Sequence, residues 1–532
     1  MIAGIDLGTT FSAIARVVDG RAEILQNRDG ERTTPSVVMF EDGNIVVGET
    51  AKENSISSPD DVCQFVKRSM GDNRFKFQVS RSESYTAEEI SAMILKRLKE
   101  DAETESGEEV TGAVITCPAY FNDAQRKATY DAGEIAGLKV LGIINEPTAA
   151  AIAYCYGHPD SSGNVMVFDL GGGTFDITII RMDENYTKIA TVATTGYRNL
   201  GGFDFDNLII NKVMKEFNDQ YGIDLDEDAE AAQDLRLKAE ACKKSLSNRN
   251  KGQINIAANG KRLKVEITRE EFDKMMTPHL KSMQGSMEDA LEEAGLKWKD
   301  ISKVLLVGGS TRIPCVRELI QRVSGITPSQ DLNPDEAVAL GAAYYAELLS
   351  KKDGSNNTPT MEVVDVNSHS LGIIALRDGR EVASFIINKN TPLPAKEVKF
   401  YSTGYDNQPA WNGRIVEGDD EDPEYDTIIM EVEIELPPAP KGTATLVEMS
   451  YDSDGIIHVV VCMLHDYKSD FDEEAKNNVF LAIYLMGAAV AAKMYPQFLE
   501  QLGSDIDIPR QSNLTRDQVE RKRRNMGSMS ID

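Results

Sequence analysis

The chain has few cysteines and histidines, and neither residue type forms a cluster. Its 532 residues include six cysteines and five histidines. No Cys-x-x-Cys pair occurs, so the sequence indicates neither a disulfide framework nor a zinc site. We expect the cysteines to be reduced and mostly buried. They are Cys63, Cys117, Cys155, Cys242, Cys315 and Cys462.

Positive charge is scarce as well. The chain has 57 Lys and Arg against 86 Asp and Glu, which leaves a formal net charge of -29. A surface of this sign repels nucleic acid and anionic membranes, so we expect neither as a partner. Met1 leads straight into an apolar segment without a basic and then hydrophobic leader, and this predicts a cytoplasmic protein.

Hydrophobic runs of membrane-spanning length are also lacking. The apolar run over 479–492 carries no charge, but it is only fourteen residues long. A spanning helix needs about 20 residues. The run therefore predicts a helix buried against protein, which could cap a binding groove or pack between domains.

The length of the chain indicates two or three domains, because one hydrophobic core does not grow to this size. Residues 1–350 alternate apolar strands with helical patterns, for example at 87–99, 123–136 and 204–221. This alternation predicts an α/β domain with helices flanking mostly parallel strands.

The composition and the pattern of predicted elements change after that domain. Polar, turn-rich residues begin an interdomain linker that we place at 351–366. Short strands and frequent turns predict an all-β domain over 367–465. Helical patterns over 471–502 and a capping box at Thr515 and Gln518 predict a short, mainly helical C-terminal region over 466–532.

Two strand-to-loop segments carry the same phosphate-binding signal. The first reads Ile-Asp-Leu-Gly-Thr-Thr over 5–10, and the second reads Phe-Asp-Leu-Gly-Gly-Gly-Thr-Phe-Asp over 168–176. Glycines let backbone N–H groups approach an anion, and the threonine hydroxyl adds a donor. A strand-end aspartate can hold a hydrated magnesium ion. A third glycine turn, at 308–312, also follows an apolar strand.

One such turn is more often an ordinary tight turn, but three of them indicate a nucleotide site. The chain has no Gly-x-x-x-x-Gly-Lys-Ser/Thr motif, and no Gly-x-Gly-x-x-Gly segment opens a helix. Neither a P-loop nor a dinucleotide-binding fold is therefore indicated. A duplicated, two-lobed ATPase remains.

Two further segments carry a family resemblance. They read Val-Ile-Thr-Cys-Pro-Ala-Tyr-Phe-Asn-Asp-Ala-Gln-Arg over 114–126 and Ile-Ile-Asn-Glu-Pro-Thr-Ala-Ala-Ala over 143–151. With the three glycine turns, they make the chain resemble the DnaK-type, heat-shock-70 molecular chaperones. The resemblance is strong over 1–350, moderate over 362–465 and faint beyond. It implies an actin-like ATPase domain followed by a β-sandwich that binds extended apolar peptide.

The resemblance also implies roles for individual residues. Asp6 and Asp169 would orient a hydrated Mg²⁺ ion, and Lys67 would position the attacking water. Glu146 and Asp176 would complete the polar cage, because phosphoryl transfer needs mainly positioning and charge neutralisation. Without the motifs, Lys67 would be interpreted as a surface lysine and Glu146 as a helix-start carboxylate.

The remaining residues that the resemblance implies would hold the phosphates and adenosine of ATP or ADP. They are Gly8, Thr9, Thr10, Gly171, Gly172, Gly173, Thr174, Gly201, Gly202, Glu240, Lys243, Lys244, Ser247, Gly308, Gly309, Ser310, Arg312 and Asp335.

Several positions depart from the family pattern. Gly142 stands where the family has an arginine that helps to dock a J-domain co-chaperone, so we expect this partner to be weakened or specialised. Glu362 puts a charge into an apolar linker, where it either loosens interdomain coupling or points to solvent. Trp411 and Gly413 align with residues of the peptide pocket, and the indole there either fills the pocket or stacks on the ligand.

The region after the β domain is short. About 65 residues follow it, which is too few for the full helical lid of the family. A groove without a lid is expected to release peptide faster, because affinity differences arise mainly in dissociation rates.

We therefore expect an ATP-dependent chaperone with unfolded or extended polypeptides as clients. A J-domain co-chaperone and a nucleotide-exchange factor are the candidate protein partners. A degenerate relative that acts as an ATP-bound holdase or exchange partner is the alternative, and the intact Asp6, Lys67 and Asp169 argue against it. A small-molecule kinase or filament former is disfavoured by the linker and the β domain, and no catalytic base for a substrate hydroxyl can be named.

Overall fold

The computed structural model describes residues 1–41, 43–79, 83–158, 162–183, 188–329, 331–352, 361–452, 456–464, 473–496, 499–508 and 513–532. The chain divides into two compact units. The first consists of Met1–Val363 together with Ser512–Asp532, and the second is Val364–Gln511. The first unit is thus built from two stretches that the whole second unit separates in sequence.

The strands of the first unit belong to two large sheets and several small ones. They are β1 (Ile2–Asp6), β2 (Phe11–Val18), β3 (Arg21–Leu25), β4 (Thr34–Pro35), β5 (Val37–Glu41), β6 (Asn44–Val47), β7 (Val62–Gln64), β8 (Phe77–Gln78), β9 (Ser84–Tyr85), β10 (Gly112–Cys117), β11 (Val140–Asn145), β12 (Gly163–Leu170), β13 (Phe175–Met182), β14 (Lys188–Tyr197), β15 (Lys251–Ala258), β16 (Lys261–Thr268), β17 (Ile301–Val307) and β18 (Glu362–Val364).

The two large sheets repeat one arrangement of strands. The first has the order β11-β10-β1-β2-β3, and the second has the order β17-β12-β13-β14-β18. In the first, β1 lies between the parallel strand β10 and the antiparallel strand β2. In the second, β12 lies in the same way between β17 and β13. The repeat gives the loops after β1 and β12 equivalent positions, and it confirms the predicted two-lobed α/β fold.

The helices of the first unit include the three that the sequence patterns predict. They are α1 (Glu49–Asn54), α2 (Ala87–Ser106), α3 (Asp123–Ile135), α4 (Glu146–Gly157), α5 (Gly202–Tyr221), α6 (Ala229–Asn248), α7 (Arg269–Glu293), α8 (Pro314–Ser324) and α9 (Ala337–Lys352). Helix α9 includes the first two residues of the predicted linker, and 353–360 lie outside the described residues.

Capping boxes define where several of these helices begin. The Thr86 hydroxyl accepts a hydrogen bond from Glu89 N, while the Glu89 carboxylate accepts one from Thr86 N. Asn122 and Gln125 do the same at the start of α3. Each box satisfies backbone donors that the first turn of a helix leaves unpaired, so these short local motifs fix the helix starts.

Helices α4 and α9 pack closely through small residues. Ala149, Ala150 and Ala151 of α4 and Ala342 and Ala346 of α9 are buried in one apolar cluster. A Cβ atom on Gly341 would lie 1.7 Å from Ala149 O, which no side chain tolerates. The absence of a side chain at this glycine therefore sets the helix separation.

The second unit is a sandwich of two antiparallel sheets. Their orders are β20-β19-β22-β23 and β21-β24-β25-β26. The strands are β19 (Ser370–Arg377), β20 (Arg380–Ile387), β21 (Ala395–Ser402), β22 (Ala410–Gly418), β23 (Thr427–Glu435), β24 (Ala444–Tyr451), β25 (Ile457–Leu464) and β26 (Leu499–Ile508). This architecture confirms the predicted all-β sandwich.

Both faces of the second sheet of this sandwich are covered, which alternating residues make possible. Val459 and Val461 of β25 point into the core between the sheets. Val460 and Cys462 belong to a different cluster with the helices α10 (Glu473–Met486) and α11 (Ala488–Met494). The strand is therefore apolar at successive positions.

The apolar run over 479–492 forms two helices rather than one. Gly487, at φ 93°, separates α10 from α11 because this left-handed backbone region favours glycine. Val479, Ile483 and Ala488 face the second sheet. The prediction of helix up to residue 502 is wrong at its end, because β26 pairs with β25 from Leu499 onwards. No helix among the described residues is long and apolar enough to cross a membrane.

The last element, α12 (Arg516–Gly527), belongs to the first unit. Its predicted capping box is confirmed, because Thr515 and Gln518 exchange hydrogen bonds. All six cysteines are free and buried, as expected.

Candidate active site

The loops after β1 and β12 pack against each other. A Cβ atom on Gly172 would lie 2.6 Å from Thr10 Cγ2, and one on Gly173 would lie 2.6 Å from Thr9 Cγ2. Side chains at these glycines would push the two loops apart. The glycines therefore allow the threonines of one loop to approach the backbone of the other.

The third glycine turn joins the same group of loops. Gly308 has φ 80°, and a Cβ atom there would lie 2.4 Å from Leu170 O. Ser310 Oγ donates a hydrogen bond to Gly171 O over 2.8 Å. Gly202 N donates to Gly171 O as well, over 3.0 Å. Hydrogen bonds thus join the second and third glycine turns to the start of α5, and the loop after β1 packs against this group.

These loops surround a cavity of about 850 Å³ within the first unit. Three of the predicted site residues, Gly173, Asp176 and Gly201, do not line it. The others do: Asp6, Gly8, Thr9, Thr10, Lys67, Glu146, Asp169, Gly171, Gly172, Thr174, Gly202, Glu240, Lys243, Lys244, Ser247, Gly308, Gly309, Ser310, Arg312 and Asp335.

One end of the cavity carries a buried cation among carboxylates. Lys67 is 4% exposed, and its ammonium group donates to Glu146 Oε1. Asp6 Oδ1 accepts a hydrogen bond from Thr116 Oγ1 at 3.2 Å. Within the described part of the chain, Asp169 Oδ2 and Asp176 Oδ2 are buried without a hydrogen-bond partner. Such oxygens fit a bound cation or its water shell.

The pKa values of these groups reflect their burial and mutual repulsion. Burial, followed by the charge of Glu146, raises the pKa of Asp6 to about 7. The same two causes raise the pKa of Asp176 to about 7 and that of Asp169 well above its usual range. Burial opposes the charged form of Lys67, but Glu146 and Asp6 outweigh it and raise the pKa of the ammonium group. The cage therefore carries an excess of negative charge, and binding of a further cation would stabilise it.

Lys67 lies on a short 3₁₀ turn, Val66–Ser69. Side chains of this turn and of the residue before it contact the start of α5. Phe65 precedes the turn in a left-handed conformation, with φ 59°, and its ring meets that of Phe203 edge-on at 4.7 Å. The Arg68 guanidinium lies over the Phe203 ring at 4.6 Å and contacts Asp204 at 3.3 Å. Residues at the start of α5 thus anchor the turn that presents Lys67.

Another part of the cavity wall carries paired charges. Glu240 binds both Lys52 and Lys244 at 2.7 Å. Although burial opposes the shift, these two cations lower the pKa of Glu240 to about 2. Arg312 contacts Asp335 at 2.6 Å. Glu240 is therefore ionised near neutral pH, and these ion pairs line this part of the cavity with polar atoms.

Several cavity residues carry no local sequence signal. Arg32 donates two hydrogen bonds to Glu336, at 2.7 and 2.8 Å, although the two residues are far apart in sequence. Lys52 lies over the Phe11 ring at 5.0 Å and also pairs with Glu240. Only the fold brings such partners together, so sequence reasoning missed them.

The structure shows the neighbours of the positions that depart from the family pattern. A Cβ atom on Gly142 would lie 3.3 Å from Leu349 Cδ1, so this position has little free space. Glu362 is exposed and pairs with Lys188 at 3.2 Å, whereas Val363 packs against the apolar core. Of the two interpretations offered for Glu362, the structure favours the one in which the charge points to solvent.

Trp411 occupies space that Gly413 leaves free. The two residues lie two apart on β22, and therefore on the same face of the sheet. A Cβ atom on Gly413 would lie 2.2 Å from the Trp411 ring atom Cη2. The indole thus lies over the glycine, and any side chain at residue 413 would displace it.

Comparison with known proteins agrees with this architecture. The Hsp70 protein family matches residues 2–478. The chain is 42% identical over 469 residues to a protein named chaperone protein DnaK from Thermotoga petrophila, covering 86% of this chain and 77% of that protein. The DnaK chaperones of Thermotoga maritima and Thermotoga neapolitana match with the same identity and the same coverage.

The fold and the cavity define a two-lobed nucleotide-binding protein with a β-sandwich unit. The chain belongs to the Hsp70 family. Members of this family bind nucleotide, hydrolyse ATP and act on unfolded polypeptides, and the chain is an ATP-dependent chaperone of the DnaK type.

Proposed function

We propose that the cavity of the first unit hydrolyses ATP and that Lys67 positions the attacking water. The observation that carries this proposal is the buried Lys67–Glu146 pair beside the unpartnered oxygens of Asp169 and Asp176. A cation held between carboxylates cannot swing freely, so its N–H groups keep a fixed direction. Positioning and electrostatic stabilisation together supply most of the catalysis in phosphoryl transfer.

The residues around the cage have separate tasks in this proposal. Asp6 and Asp169 hold hydrated Mg²⁺, which would neutralise phosphate charge. Asp176 Oδ1 accepts a hydrogen bond from Tyr120 N, which supports a fixed carboxylate for orienting water. Among the described residues, no group of three or more His, Cys, Asp or Glu side chains is placed to ligate an ion directly.

The phosphates and adenosine of ATP fit different walls of the cavity. Thr9, Thr10, Thr174 and Gly172 line the cavity, and their hydroxyl groups and backbone N–H groups would donate to phosphate oxygens. The cavity end between Glu240 and Arg312 is polar and suits the ribose and the adenine edge. ATP, ADP and Mg²⁺ are accordingly the proposed ligands.

The second unit is proposed to hold extended apolar segments of client proteins. The sandwich and the family membership support this role. The Trp411 indole would shape the pocket, because it lies over Gly413 and reduces the space for a client side chain. We expect small aliphatic client residues to be preferred over aromatic ones. A J-domain co-chaperone, a nucleotide-exchange factor and a cytoplasmic location complete the proposal.

The test is ATP turnover of the purified protein, measured with and without an extended apolar peptide and again with J-domain proteins from the same cell. We expect peptide to stimulate turnover. Turnover that ignores peptide would indicate an ATPase uncoupled from its β unit. ATP binding without turnover would instead support the degenerate holdase. Phosphate release without any small-molecule acceptor argues against a kinase.

A further inference from the structure

The segment 513–532, here called the strap, is a part of the first unit that follows the second unit in sequence. It lies beyond residue 478, where the match to the Hsp70 family ends. Four of its apolar side chains, Leu514, Val519, Met526 and Ile531, are each at most 7% exposed. All four belong to the core cluster of the lobe that contains β1.

The apolar residues of the strap form a continuous contact. Val519 and Met526 are separated by two helical turns, so they share one face of α12. That face packs on α3 and on the core around it. Beyond the helix, Ile531 forms a parallel bridge with Ile45, and Asp532 N donates to Ile45 O over 2.9 Å. The strap thus ends in an isolated β-bridge beside β6.

Polar contacts join the strap mainly to α2. Lys96 Nζ donates to Met526 O over 2.8 Å and to Met529 O over 2.5 Å. A cation at this place is favourable, because the C-terminal end of a helix carries partial negative charge. Lys522 pairs with Glu89 at 2.5 Å, close to the capping box of α2. The strap is therefore in contact with the first turn and the middle of α2.

Helix α2 also contacts the turn that carries Lys67. Ser91 Oγ lies 3.3 Å from Met70 Sδ, and both residues are buried. Met70 ends the 3₁₀ turn, and its N–H donates to Lys67 O over 3.3 Å. A contact chain thus leads from the strap through α2 to Lys67.

From these contacts we propose that the strap is an intramolecular brace for α2 and that it anchors the second unit to the first at a second point. The second unit leaves the first after Val363 and returns to it at the strap. A docked strap therefore fixes both ends of the second unit to one domain. A freely mobile tail would leave α2 exposed and would tether the second unit at one end only.

The first experiment measures hydrogen exchange of the full chain without nucleotide. Val519→Asp combined with Met526→Asp places two charges against the core, so we expect at least tenfold faster exchange of α2 amides. Arg523→Asp, on the exposed face of the same helix, is the matched control and is expected to leave exchange unchanged. The proposal is overturned if the α2 amides exchange at the same rate in the double variant as in the unmodified protein.

The second experiment leaves every core residue unchanged. A protease site is inserted between Ile508 and Asn513, and the folded full-length protein is cleaved there. We expect the strap fragment to remain bound in size-exclusion chromatography and α2 to remain protected. Release of the fragment with tenfold faster exchange of α2 also supports a brace. Release without any change in α2 overturns it.

A consequence for catalysis rests on the proposed ATP hydrolysis. Cleavage at the inserted site frees one end of the second unit while the strap stays docked. We expect basal turnover to be unchanged and the dependence of turnover on peptide to change severalfold. Because the exchange measurements need no nucleotide, failure of the hydrolysis proposal and failure of the strap proposal give different results.

Discussion

Lys67 faces more negative charge than it can neutralise. Glu146, Asp169 and Asp176 are buried around it, and Asp6 is partly buried beside them. One ammonium group against four carboxylates leaves a negative excess. Burial and, after it, the charge of Glu146 raise the pKa values of Asp6 and Asp176. A site of this kind costs stability when empty and gains it when a cation binds.

Replacing Lys67 with Ala should reduce ATP turnover by about 10²-fold or more, because one preorganised charge in such a site contributes on this scale. ATP binding should persist, since the walls that hold the phosphates and adenosine are unchanged. Single-turnover kinetics and ATP titration measure the two effects separately. Lys299→Ala, at an exposed position, is the control. An unchanged rate in the Lys67 variant would refute the proposed role.

Asp6→Asn should stabilise the nucleotide-free protein at pH 8. The pKa of Asp6 is raised from 3.8 to about 7, so the folded state binds more protons than the unfolded state between these values. The free energy of unfolding therefore falls as pH rises from about 4 to about 7, and it stays low above that range. The Asn side chain does not ionise, so the variant does not lose this part of the free energy of unfolding as the pH rises.

The measurement is the Tm at pH 5 and pH 8 in a metal chelator. We expect the Tm of the Asp6→Asn variant to exceed the Tm of the unmodified protein by a few degrees at pH 8 and by less at pH 5. A variant that is less stable than the parent at pH 8 would contradict the assignment. Asn keeps an oxygen for the hydrogen bond from Thr116, so the contact itself is preserved.

Contacts between pairs of helices and strands determine where individual site residues lie. Helices α4 and α9 approach closely because small side chains face each other, and Glu146 is the first residue of α4. The contact between the helices thus helps to place a member of the cage. The strap acts in a similar way on α2 and on the turn with Lys67.

Gly341→Ala should destabilise the first unit by about 1–3 kcal/mol or more, because the added methyl group would overlap Ala149 O. Thermal unfolding measures the effect. Gly285→Ala in α7 is the matched control, since a Cβ atom there meets no neighbour within 4 Å. We expect this control to gain about 0.5–1 kcal/mol from the better helix former. Equal effects of the two substitutions would mean that the helix contact is not tight.

The proposed stimulation of ATP turnover by peptide requires a signal from the second unit to the first. We expect the segment 362–363, which has one exposed and one covered residue, to carry it. Glu362 pairs with Lys188 at the surface, and Val363 packs on the apolar core. Alternation along a strand explains how a charge is tolerated there. Coupling should therefore depend on Val363 rather than on Glu362.

Val363→Asp should reduce peptide stimulation of ATP turnover severalfold, because a charge at this position opposes docking of the segment. Glu362→Gln should keep most of the stimulation, since an exposed ion pair contributes little. Basal turnover without peptide is the internal reference for both variants. Full stimulation in the Val363 variant would show that this docking does not transmit the signal.

Local patterns in the sequence were sufficient to predict β1, β12, the glycine turns, the capping boxes and the two-lobed fold with its sandwich. These features depend on residues close together in the chain, so their physical causes can be identified from a short segment. The roles of the individual site residues and the domain limits at 350, 366 and 465 stay predictions.

Tertiary structure alone decided the contacts between distant residues. Arg32 meets Glu336, Lys52 meets Glu240, and the strap returns to the lobe that contains β1. The pattern over 499–502 is compatible with helix or strand by itself, and pairing with β25 selects the strand. The physical reason is the same in each case: the deciding energy comes from a partner that no local pattern identifies.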